Sequence, residues 1–184
     1  MENSSPSFTI KNLEETDKPQ LRKFSCGNSS MDSFLYNEAN TYHVNGEGIT
    51  KLLLHEDQII AYCTAKAWLW KIYDPEMYDD GFREIPCVEV SRLGVHTYWQ
   101  YGQNGVSVGV GLMSYLILFV KNYIANEIGC RLITIHAIRS KVPWYEKHFG
   151  FVITNPEELE SSSDVIAMHL DLIQDIAAEE HVDS

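Results

Sequence analysis

The 184-residue chain carries 45% hydrophobic, 22% charged and 11% aromatic residues, the balance of an ordinary globular domain, which excludes a disordered, collagen-like or coiled-coil protein. Its length predicts one domain over residues 1–172 and an acidic tail at 173–184. The net charge of −12 is uneven: from residue 157 onward nine acids meet no Lys or Arg, which leaves 17 acids against 14 bases in the rest. The body is therefore near neutral, and charge disfavours nucleic acid as a partner while leaving it open.

Cys26, Cys63, Cys87 and Cys130 stand 37, 24 and 43 residues apart, without a CxxC pair. They read as buried thiols of a reducing compartment, with neither metal ligation nor disulfides. Residues 1–10 are polar and do not form a signal peptide. The apolar run at 112–120 is well short of the roughly 20 residues of a membrane span. These features predict a cytoplasmic protein without a membrane partner, and a homodimer is compatible with them.

In chain order, a strand is predicted at 8–13, then a polar turn through 18–28. Ser29 or Ser30 caps a helix reaching Tyr42, with Met31, Phe34, Leu35 and Ala39 on one side. Two strands at 49–54 and 59–70 flank His55, Glu56, Asp57 and Gln58, a hairpin turn. Residues 71–83 read as an acidic surface loop. A strand at 85–96 leads into a loop with Gly102, Gly105, Gly109 and Gly111, then a helix ending at Gly129. A strand at 131–138, a helix at 142–148 and strands at 151–154 and 164–172 complete the chain. This order predicts an α/β fold of the α+β kind: a mixed, mostly antiparallel central sheet flanked by helices.

The strand, glycine loop and helix from Val88 to Ile128 carry the chemistry. Glycines before a helix's first turn leave amide N–H groups unpaired at its positive dipole end, an arrangement that binds phosphate. Ordinary strand-to-helix turns also use glycines, so Gly109 and Gly111 alone point both ways. Neither a P-loop nor a fully spaced GxGxxG fingerprint is present.

With the strand ending Arg92-Leu93-Gly94-Val95-His96, the Gly109-Val110-Gly111 turn and the block Trp144-Tyr145-Glu146-Lys147-His148-Phe149-Gly150-Phe151, the sequence resembles the GNAT superfamily of N-acetyltransferases over residues 8–172. The resemblance implies acetyl-CoA as acyl donor, without a metal, and an amine as acceptor. It implies two parallel strands that splay, with Leu93, Gly94 and Val95 lining the pantetheine arm through main-chain contacts. The amides of Val106, Ser107, Val108, Gly109, Val110 and Gly111 would hold the pyrophosphate. The family's usual Arg or Gln slot before the glycines is Val106 here, and the loop is longer, with Gln100, Gly102, Gln103, Asn104 and Gly105 offering a competing register.

Tyr145 occupies the slot of the tyrosine that protonates the departing coenzyme A sulfur; its alternative is a packing aromatic. Glu89, in an otherwise apolar strand, would act as base directly or through water, and its alternative is an ion pair with Arg92. His96, His136 and His148 are weaker candidates. Phe24-Ser25-Cys26-Gly27-Asn28, Phe34 to Ala39 and Met168 to Leu172 resemble toxin-type GNATs, which acetylate aminoacyl-tRNA and are neutralised by a small antitoxin. Only a modest basic group (Lys18, Arg22, Lys23, Arg139, Lys141, Lys147) would serve tRNA, whereas Asp74, Glu76, Asp79 and Asp80 would suit a cationic amine. The expectation is therefore an N-acetyltransferase of unassigned acceptor, with the tRNA-acetylating toxin and a non-catalytic GNAT-fold module as alternatives.

Overall fold

The computed structural model describes residues 7–73, 76, 81–102 and 105–173. Seven strands form one sheet in the order β1-β2-β3-β4-β5-β7-β6. They are β1 (Phe8–Asn12), β2 (Ile49–His55), β3 (Gln58–Tyr73), β4 (Phe82–Val95), β5 (Leu132–Ile138), β6 (Val152–Ile153) and β7 (Val165–Asp171). The pairs β1–β2, β2–β3, β5–β7 and β6–β7 are antiparallel, and β4–β5 is parallel. The mixed sheet flanked by helices is as the sequence predicted. Contacts divide the chain into two compact units, Met1–Lys66 with Ser91–Tyr115, and Ala67–Val90 with Leu116–Ser184.

In the first unit, β2 and β3 meet in a two-residue loop in which Glu56 takes a positive φ of 54°. Leu13, Leu21, Phe24, Phe34, Leu35, Leu52, Ile59 and Tyr62 form its core. Three predictions for this unit need correction. The stretch predicted as a polar turn contains α1 (Lys18–Leu21), which starts with Pro19 in its first turn, where a missing N–H costs nothing. Asn28, not Ser29 or Ser30, caps α2 (Ser29–Asn37): its side-chain oxygen accepts from Ser30 and Met31 N–H at 3.1 and 3.2 Å. The predicted single helix to Tyr42 breaks at Glu38, and α3 covers Ala39–Val44.

The long helix opens as α4 (Val108–Phe119), passes through a π turn at Val120–Ile124 and continues as α5 (Ala125–Ile128). Gly129 ends it at φ 76°. Spanning 21 residues, it is long and apolar enough by length and composition to cross a membrane, more than the 112–120 run suggested. Its buried stripe, Val108, Leu112, Met113, Leu116 and Val120, has the spacing of a core helix.

In the second unit, Ile85, Cys87 and Leu132 pack with Trp70. Arg131, just before β5, holds Asp171 on β7 by two bonds to one carboxylate oxygen, 2.9 and 3.2 Å. That pairing keeps the Asp171 carboxyl below its usual range although burial opposes it. Helix α6 (Val142–Phe149) follows β5 and ends at Gly150, whose φ of 72° is the left-handed conformation glycine tolerates.

Candidate active site

β4 changes phase part-way. Pro86 accepts the Arg131 N–H (3.0 Å), so that peptide faces β5, whereas His96 donates to Ile60 of β3 at 2.8 Å. Positions an even number apart face the same edge in a regular strand, so one residue is out of step between them. Burial locates the shift: Ile85, Cys87 and Glu89 are buried, then Val90 and Gly94. The parallel ladder runs from Cys87↔Leu132 to Val90↔Ile135, although β4 continues to Val95. Past the shift, alternation turns the peptide groups of Leu93 and Val95 away from β3.

Gly94 has a packing reason of its own. A Cβ there would stand 2.6 Å from Cε1 of Tyr62, closer than side chains approach. The Tyr62 ring is buried, its hydroxyl donates to the Met31 carbonyl (2.9 Å), and its edge meets Phe24 at 5.5 Å between centroids.

The prediction that the helix begins after the glycines is corrected: α4 starts at Val108, so Gly109 and Gly111 lie within its first turns. Gly111 donates to the Ser107 carbonyl at 2.9 Å. The Val108, Gly109 and Val110 amides have no carbonyl four residues back within the helix, and they stand at its positive end. A Cβ on Gly111 would meet nothing within 4 Å. Val106 and Ser107 precede the helix outside regular structure, and the apolar Val106 can offer only backbone polar groups in the slot that the resemblance gives to Arg or Gln. In the competing register, Gly102 and Gly105 have φ of 66° and 74°, and the Gly105 N–H donates to the Gly102 carbonyl at 2.9 Å. Gln103 and Asn104 lie outside the described residues. The Gln100 side chain donates to the Val95 and Cys26 carbonyls, at 2.9 and 2.7 Å.

Tyr145 sits on α6, partly buried among Trp144, Phe149 and Phe151, with ring centroids 4.8, 6.4 and 5.8 Å away. Burial pushes its phenol up to about 12. The packing alternative is thus present, and the aromatic cluster that holds the ring also keeps the phenol protonated. Glu89 is buried on β4. Arg92 donates to the Ser91 carbonyl (2.7 Å) and lies 4.9 Å from the Phe34 ring. His96 accepts the Tyr98 N–H and packs on Phe24, while His136 and His148 are exposed.

The basic group is smaller than the sequence suggested. The Arg139 guanidinium makes five bonds of 2.9–3.1 Å to the carbonyls of Glu158, Leu159, Ser161 and Ser163. Asp74, Asp79 and Asp80 of the acidic loop lie outside the described residues, as does the tail from residue 174, and Glu76 is exposed. Among the described residues no cluster of His, Cys, Asp and Glu could hold a metal. The four thiols are free, and burial raises the pKa of each.

No family model and no curated protein matches the sequence. Solved structures do. The toxin AtaT complexed with acetyl-methionyl-tRNAfMet matches with a TM-score of 0.71 at 17% identity, over 97% of this chain and 100% of that one. A tyrosine-to-phenylalanine mutant of AtaT bound to the C-terminus of the antitoxin AtaR matches with a TM-score of 0.70 at 20% identity, over 91% and 94%. A tyrosine-to-phenylalanine mutant of the toxin KacT gives 0.68 at 16% identity, over 87% and 93%. The chain thus has the GNAT fold of these toxins, as the sequence resemblance implied.

Proposed function

We propose that the chain is an acetyl-CoA-dependent N-acetyltransferase of the toxin type, whose acceptor is the amino group of an aminoacyl-tRNA. The observation that carries this reading is the match of nearly the whole chain to all of AtaT, a structure that holds acetyl-methionyl-tRNAfMet. The toxin alternative therefore replaces the unassigned amine, and it outweighs the argument from net charge. A tRNA partner needs only local basic groups, and an antitoxin protein is the second partner the reading implies.

On this reading Leu93, Gly94 and Val95 receive the pantetheine arm through their backbone, and Val106 to Gly111 the pyrophosphate, with the Val108, Gly109 and Val110 amides as its principal donors. The Val95 carbonyl is already engaged by Gln100, so Val95 offers its N–H. The neutral amine attacks the thioester carbonyl carbon, the C–S bond breaks, and the nitrogen loses a proton to Glu89 or to water. Tyr145 donates at the departing sulfur and regains its proton from the amine side. A phenol near 12 is a weak acid against a thiol of ordinary pKa about 8.5. Donation therefore accompanies C–S cleavage instead of preceding it.

Acetyl-CoA binding is tested by thermal unfolding. A ligand at 100 times its Kd stabilises the folded state by about 2.7 kcal/mol, so a melting temperature that saturating acetyl-CoA leaves unmoved would refute the cofactor assignment. Growth arrest on expression, lost in Tyr145→Phe, supports the toxin reading, and harmless expression of the wild type opposes it.

A further inference from the structure

The segment 24–28, Phe-Ser-Cys-Gly-Asn, resembles the toxins' own, yet the chemistry above gives it no part. Its first three carbonyls are each taken by a donor from elsewhere in the first unit. Phe24 accepts from the Tyr36 hydroxyl (2.9 Å), Ser25 from the Thr97 N–H (2.9 Å) and Cys26 from Gln100 Nε2 (2.7 Å). Asp32 of α2 grips the segment from its other side, accepting from Cys26 N–H (2.9 Å) and Ser25 Oγ (2.7 Å). Gly27, at φ 82°, lies against Thr97, where a Cβ would stand 3.4 Å from Cγ2.

Gln100 ties this segment to the strand end. A glutamine amide has two N–H donors, and here they serve the carbonyls of two separate segments, Cys26 and Val95. Leucine at this position would donate nothing, and glutamate would set negative charge against both carbonyls. The last residues of a strand fray most readily, and a binding edge ordered beforehand spares the ligand the ordering cost.

We propose that Gln100 is a positioning residue for the cofactor edge of β4. By joining the Val95 and Cys26 carbonyls it locks the strand end to the α2 segment, so that the Leu93 and Val95 peptide groups are aligned before acetyl-CoA arrives. Residues 24–28 are the other half of this latch. The role rests on the acetyl-CoA reading given above.

The experiment pairs hydrogen exchange with calorimetric acetyl-CoA binding in the full-length wild type and in Gln100→Leu. The expected result is faster exchange at the Cys26 and Thr97 amides in the variant and a Kd raised about fivefold, the factor for one net hydrogen bond lost. Unchanged exchange overturns the latch. Faster exchange with Kd within twofold of wild type leaves a structural staple and overturns the positioning role. A wild type that binds no acetyl-CoA is distinguishable from both, and it overturns the cofactor reading together with the role resting on it. Ser25→Ala, which loosens the segment without touching Gln100, keeps the test decisive if Gln100→Leu fails to fold. It should raise Kd in the same direction by a smaller factor, and an unchanged Kd with faster exchange again overturns the role.

Discussion

Gly94→Ala isolates the reason for a glycine in the cofactor strand. The new methyl would lie 2.6, 3.1 and 3.4 Å from Cε1, Cδ1 and Cζ of Tyr62. The ring cannot swing aside without breaking its bond to Met31 (2.9 Å) and its edge contact with Phe24. Overpacking of a closed core costs about 1–3 kcal/mol, which for a chain of this size lowers Tm by roughly 2–4 °C per kcal/mol. Tyr62→Leu alone removes a buried ring and a hydroxyl partner and should cost about 2–4 kcal/mol. In the double variant the methyl meets space instead of ring carbons. Urea unfolding of the four proteins, with m-values compared, should give a coupling of at least about 1 kcal/mol in favour of the double variant. Gly94→Ala within about 0.5 kcal/mol of wild type, or strict additivity, would refute the clash and return Gly94 to a purely cofactor-driven explanation.

Tyr145→Phe should lower kcat by about 10²-fold, within the range for loss of a positioned acid, while acetyl-CoA affinity changes little; equal turnover rejects the assignment. Because the phenol is held near 12, the rate should rise with pH as the amine deprotonates and show no falling limb below about pH 11, and a limb at pH 9–10 would contradict its burial. Burial lowers the pKa of His169, whose Nδ1 lies 3.0 Å from the Thr154 hydroxyl. The unfolded state then binds the proton more readily, so stability is lost as pH falls below the unfolded value of about 6.5. His169→Gln should flatten the loss of Tm between pH 7 and 5. Arg139→Ala strips five hydrogen bonds from the loop at 158–163, and limited proteolysis should cut there several-fold faster; an unchanged pattern would mean that other contacts hold the loop.

Local signals carried much of the fold. Alternation at 165–171, the turn chemistry of residues 55–58 and Gly129 as helix end could all be read from neighbouring residues. Misses fell where two good local choices competed or where the partner lay far away in sequence. Asn28, Ser29 and Ser30 are all able caps, and only the backbone decides that Asn28 Oδ1 reaches the Ser30 and Met31 amides. Gln100 reads as part of a phosphate loop until Cys26, 74 residues earlier, is seen to accept from it. Arg139 reads as a surface cation, and its use emerges only when a loop about 20 residues on closes over it. The helix that carries Tyr145 was legible from its motif, whereas the raised phenol required the packing of Phe149 and Phe151 to be known.

The central claim is acetyl transfer to an aminoacyl-tRNA. Wild type incubated with radiolabelled acetyl-CoA and a panel of charged tRNAs, the same tRNAs uncharged, polyamines and lysine peptides should label the charged tRNAs, with the label released as N-acetyl amino acid on mild alkaline hydrolysis. Label on polyamines or peptides with none on charged tRNA would contradict the account.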